Sequence, residues 1–97
     1  MNSDFVFEII AEDGFNVLNR MVNTCNRRRN RIKSLHAFIY SPDNKEATIR
    51  LVVYTNWEEA VKIQKLFDKI IEVQKITFYE NTPAMVMEGI KAMKELV

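Results

Sequence analysis

Cysteine, glycine, proline and histidine are all scarce in this 97-residue chain, which has one Cys, two Gly, two Pro and one His. The lone Cys25 cannot close an internal disulfide, and an unpaired thiol suits a reducing, cytoplasmic setting better than a secreted one. With so little glycine and proline there is no collagen-like or linker-like tract. His36 has no second histidine or cysteine pair beside it, so no zinc-type metal site is expected. Charge of one sign is lacking as well. Fourteen basic side chains against thirteen acidic ones leave a net +1, which gives no long-range field to draw nucleic acid or an anionic membrane. No stretch approaches the ~20 apolar residues of a membrane span. Met1-Asn2-Ser3-Asp4 lacks the positive flank and apolar core of a signal peptide, so no secretory leader is expected. Nor is there a nucleophile with a visible base, a glycine-rich phosphate loop or a paired set of tuned carboxylates; no catalytic residue is expected.

What is present is an ordinary globular composition, 47% apolar and 28% charged, in a length that fits one core. Residues 5–11 alternate Phe5, Phe7 and Ile9 on one face and predict a strand. Asp13-Gly14 marks a turn, and Leu18, Met21, Val22 and Cys25 then recur at the spacing of one helical stripe, predicting a helix over 16–29. A second strand is expected over 31–41, with Ile32, Ser34, His36, Phe38 and Tyr40 facing one way and Lys33, Leu35, Ala37 and Ile39 the other. Ser41-Pro42-Asp43-Asn44 turns it into a partner over 46–54. Thr55-Asn56-Trp57-Glu58 reads as a capping box. It opens a second helix whose buried stripe is Ala60, Ile63, Leu66, Phe67 and Ile70. A fourth strand follows over 73–79. Thr82-Pro83 then starts a third helix over 83–96, with Val86, Ile90, Met93 and Val97 on its apolar side.

The order β-α-β-β-α-β predicts an α+β, ferredoxin-like sandwich: a four-stranded antiparallel sheet with two helices on one face. Residues 1–80 make the domain and 81–97 a C-terminal helical extension. The face without helices is expected to carry enough large apolar side chains to need cover, by a second copy or a larger subunit.

Several separated segments carry a family likeness. They are Glu12-Asp13 ending the first strand, Val17-Leu18-Asn19-Arg20-Met21 in the helix, Arg27-Arg28-Arg29-Asn30-Arg31-Ile32-Lys33-Ser34-Leu35 entering the second strand, and Leu66-Phe67-Asp68-Lys69-Ile70-Ile71-Glu72-Val73 leading to the last. In this order, over residues 5–80, they resemble the ACT domain, and most of all the small subunit of acetohydroxyacid synthase (acetolactate synthase) of the short, single-ACT type. The resemblance implies a regulatory, non-catalytic, homodimeric chain with no cofactor of its own. It would bind and activate a catalytic subunit that uses thiamine diphosphate, a metal such as Mg and often FAD in branched-chain amino acid synthesis, and in many members it confers feedback by valine. The alternative is a freestanding dimeric amino-acid sensor. Two positions depart from the family pattern. Phe15-Asn16 stands where Pro-Gly is common, with Gly14 two positions earlier, and Arg31 stands where ligand-binding relatives tend to carry Asn. Valine feedback is therefore left open.

The candidate effector site comprises Asp13, Gly14, Phe15, Asn16, Val17 and Leu18, where a helix start offers free N–H groups to a carboxylate, together with Arg31 and Ile32. The plain alternative is a turn capped by Asp13 or Asn16. Arg27, Arg28, Arg29 and Lys33, with Arg31, place five cations within seven residues. A helix C-terminus welcomes two or three of these, and the excess is the candidate contact with a partner subunit. An RNA-binding role would need basic and aromatic residues sharing one sheet face, and the balanced charge argues against nucleic acid. Met85, Met87 and Met93 read equally as packing or as a docking face.

Overall fold

A computed structural model describes residues 2–39 and 46–81. The elements run β1 (Ser3–Ala11), α1 (Gly14–Arg27), β2 (Arg31–Ile39), β3 (Ala47–Thr55), α2 (Trp57–Asp68) and β4 (Val73–Asn81). All strand pairs are antiparallel, in the order β2-β3-β1-β4. This is the expected ferredoxin-like sandwich. The turn at 41–44, Tyr40 and the helix expected over 83–96, with Met85, Met87 and Met93, lie outside the described residues. Of the extension expected at 81–97 only Asn81 is described, as the last residue of β4.

Alternation in the strands builds the core. Phe5, Phe7, Ile9 and Ala11 of β1 and Ala47, Ile49, Leu51 and Val53 of β3 are buried against Val17, Met21 and Cys25 of α1 and Ala60, Ile63 and Phe67 of α2. Aromatic rings fill the middle. Phe7 meets Phe67 edge-on at 5.7 Å and stacks on Phe78 at 5.5 Å, and Trp57 leans over Phe78 at 5.4 Å. Each fully buried side chain of this size stabilises by about 1.5–3 kcal/mol. Leu66, expected in the buried stripe of α2, is instead exposed, because Ile63 and Phe67 already point at the sheet and Leu66 lies to one side of them.

Local geometry departs from the sequence reading in three places. β2 carries a bulge: Ile32 pairs with Val53 but Ser34 pairs with Val52, so Lys33 is an extra residue. The bulge reverses the faces of two residues. Ile32 packs against the core, while Lys33 reaches Asp4 at 2.9 Å and lies 6.0 Å over the Tyr54 ring on the other face. The expected capping box is replaced by a single N-cap one residue later, since the Glu59 carboxylate turns to Arg28 and Asn30 instead of back to the cap. Asn56 is the N-cap, its Oδ1 accepting from the Glu59 N–H at 2.8 Å, and the Thr55 hydroxyl donates to Asn30 at 2.9 Å. Finally, α1 begins at Gly14 rather than near 16, with neither Asp13 nor Asn16 capping it through a side chain.

The end of α1 follows the Schellman pattern, with Asn30 N–H bonding the Cys25 carbonyl at 2.9 Å and Arg29 N–H the Asn26 carbonyl at 3.0 Å. Glycine usually takes the left-handed position of that motif. Here Arg29 holds it, at φ 58, a conformation that costs an L-residue about 1–2 kcal/mol.

The sheet face turned away from α1 and α2 is, among the described residues, more polar than expected. Val6, Val52 and Ile10 share it with a hydrogen-bonded row in which Arg50 donates to the Tyr79 hydroxyl and that hydroxyl donates to Glu8, both at 3.3 Å. The large apolar side chains exposed there are Tyr54 and, at 60% exposure, Phe38.

Candidate functional site

β1 ends beside β3 and β4, and the chain leaves it through Glu12 and Asp13 into α1. The Glu12 N–H is held by the Glu72 carbonyl at 2.9 Å and the Glu12 carboxylate by Gln74 at 3.0 Å, which fixes this corner. Asp13 is left-handed (φ 50, ψ 59), and its carbonyl accepts from the Val17 N–H at 3.1 Å. Asp tolerates this region better than most residues. The N–H groups of Gly14, Phe15 and Asn16 donate to no described residue, and no acidic side chain occupies the first turn. The corner thus presents three unpaired donors at the positive end of a 14-residue helix, an arrangement that favours an anion.

Two acidic residues, Asp13 and Glu72, adjoin this corner. The Asp13 side chain makes no cap bond. Glu72 lies 3.9 Å from Arg20, and its Oε2 is buried with no hydrogen-bond partner. Free N–H groups favour an anion, and an acidic side chain beside them favours a cation.

The other expected residues are placed as follows. Phe15 is 67% exposed, Val17 is core, and Leu18 and Ile32 pack partly buried against the core. Arg31 is exposed and pairs in register with Tyr54. That register puts Arg31 and Ile32 at the end of the sheet opposite the Asp13 corner, which follows the Ala11–Ala47 pair. Seven residues of strand separate the two ends, about 23 Å. Within one chain the structure does not bring the two halves of the expected effector site together.

The basic segment divides. Arg28 Nε donates to Glu59 at 2.5 Å, and Glu59 also accepts from Asn30 at 3.2 Å. Bonds from Arg28 raise its pKa and hold the Glu59 carboxyl below its ordinary value. Lys33 is paired with Asp4. Arg27, Arg29 and Arg31 are exposed and bond no described residue through their side chains. The Arg28–Glu59–Asn30–Thr55 network, which ties the end of α1 to the start of α2, left no local signal in the sequence, since its members are 25–31 residues apart across each contact.

Among the described residues no cluster of three His, Cys, Asp or Glu is placed to hold a metal ion, and no helix is long and apolar enough to cross a membrane.

No protein-family model matches the chain, and no curated protein sequence matches it. Solved structures do match. The ACT domain of GTP pyrophosphokinase from Chlorobium tepidum superposes with a TM-score of 0.67 at 14% identity, over 81% of this chain and 100% of that one. An uncharacterized protein from Thermotoga maritima gives 0.66 at 15% identity, over 84% and 100%. The acetolactate synthase small subunit from Thermotoga maritima gives 0.66 at 20% identity, over 84% of this chain and 50% of that one, so the chain spans about half its length. This chain therefore has the fold of ACT domains, a four-stranded antiparallel sheet with two helices on one face.

Proposed function

We propose that this domain is a non-catalytic regulatory module that works as a two-fold pair and activates the catalytic subunit of acetohydroxyacid synthase, with a small amino acid as effector. One observation carries the reading: the expected effector residues lie at opposite ends of the sheet, Arg31 and Ile32 on β2, and β2 is an edge strand. An edge strand offers unpaired backbone groups to another chain. If two copies pair β2 antiparallel about its middle, near Leu35, then Arg31 of one faces Ile39 of the other. Ile39 pairs with Ala47, and Ala47 with Ala11, so the partner's Arg31 arrives at the end where the Asp13 corner lies. Three strand spacings, about 14 Å, then separate them in place of the ~23 Å along the strand. Exposed Leu35 and Phe38 on β2 would be covered in the same step.

Catalysis lies with the partner, whose thiamine diphosphate, metal and flavin have no counterpart expected in this chain. The regulatory effect is a coupling free energy. An effector that favours one arrangement of the pair shifts the partner only by its differential affinity for the two arrangements.

Co-expression with the catalytic subunit encoded in the same genome is the test. Co-purification with a several-fold rise in acetolactate formation is the expected result, and a catalytic subunit that neither binds nor responds would end the reading. Calorimetry with valine, leucine and isoleucine then tests the effector. Binding of an amino acid without any effect on the catalytic subunit would favour the freestanding sensor instead.

A further inference from the structure

Folding uses two of the five cations around the turn from α1 into β2 and leaves three. Arg28 is taken by Glu59 and Lys33 by Asp4. Arg27, Arg29 and Arg31 fall within five residues, all exposed, with no side-chain partner among the described residues. The negative end of α1 favours Arg27, the basic residue in its last turn. It does not explain Arg29, which lies past the helix in a left-handed conformation that glycine adopts without strain. Selection for stability alone would place glycine there, so a strained arginine indicates use of its side chain.

We propose that Arg27 and Arg29 form a docking surface for an acidic patch on a protein partner, Arg31 belonging to the effector site proposed above. Resting on the reading above, that partner is the catalytic subunit. Two planar guanidiniums at the end of α1 and the turn after it suit carboxylates, each able to accept two parallel hydrogen bonds. A nucleic acid fits less well. Tyr54, which opposes Arg31 in register, already has the Lys33 amine over its ring at 6.0 Å. Trp57 is packed against Phe5 and Phe78. Both rings keep exposed area but are already engaged by these neighbours, and a net charge of +1 supplies no steering field for a polyanion.

Two variants of the full chain separate docking from folding. Arg29→Gly relieves the left-handed strain and is expected to raise the melting temperature by roughly 4–8 °C while weakening binding of the catalytic subunit severalfold. The double variant R27Q/R29Q should fold with an unchanged circular dichroism spectrum and lose at least tenfold in affinity. Added salt should weaken wild-type binding more than that of the variant. If the wild type binds and the double variant binds equally well, the docking surface is wrong while the regulatory reading stands. If the wild-type chain does not bind the catalytic subunit at all, both fail. Preferential, salt-dependent binding of a single-stranded oligonucleotide would overturn the choice of a protein partner.

Discussion

Glu59 shows how one side chain can join parts of the fold that are distant in sequence. Its carboxylate accepts from Arg28 and Asn30, and its N–H is capped by Asn56. Glu59→Gln keeps the shape and removes the charge, so it should cost about 1 kcal/mol at neutral pH, since hydrogen bonds to a charge exceed neutral ones but this one is partly solvated. The folded carboxyl has the lower pKa. Its contribution is therefore present above the ordinary carboxylate pKa and is lost as pH falls through the folded value. Urea melts of wild type and variant should differ at pH 7 and converge in acid. Cys25 behaves oppositely. Burial pushes its thiol from 9.0 up to about 11, so the native protein keeps a proton that the unfolded chain releases, and stability should fall as pH rises from about 9 toward 11. At pH 8 the native thiol should resist a disulfide reagent that labels it fast in denaturant; rapid native labelling would contradict the buried placement.

At the scale of elements, the aromatic contact between helix and sheet dominates. Phe67 of α2 rests edge-on against Phe7 of β1, both fully buried. Phe67→Ala should cost about 3–5 kcal/mol, a large share of the 5–15 kcal/mol available to a domain of this kind. The chemical denaturation midpoint checks it. Asn56→Ala removes the cap of α2 and should cost about 1 kcal/mol. A variant as stable as wild type would mean that Glu58 and Glu59, in the first turn, satisfy the helix dipole unaided.

For the whole molecule, the β2 edge decides whether one chain suffices. Sedimentation of the purified protein should give a dimer. Leu35→Lys, at an exposed position on the edge strand, should shift it toward monomer with the circular dichroism spectrum unchanged and abolish amino-acid binding at the same time, if the effector site is shared between copies. Loss of the dimer with binding intact would place the whole effector site within one chain.

Much of the architecture was legible in the chain itself. Alternation at Phe5, Phe7 and Ile9, and at Ala47, Ile49, Leu51 and Val53, assigns strand faces because a strand has period two. The Met21 and Cys25 spacing assigns a helix face for the same kind of reason. Such periodic signals need no knowledge of what lies opposite. The bulge at Lys33 was not legible, because an extra residue leaves the local pattern unbroken and is defined only against β3. Nor was the left-handed Arg29, since no glycine announced it. The partition of the basic segment into paired Arg28 and Lys33 and unpaired Arg27, Arg29 and Arg31 depended on Glu59 and Asp4, which folding brings from 29 to 31 residues away. Sequence by itself determined which side chains seek the core and how the elements follow one another, through local periodicity. Tertiary structure alone decided which charges are cancelled and where the two halves of the expected effector site lie, because ion pairs and register are set by neighbours distant along the chain.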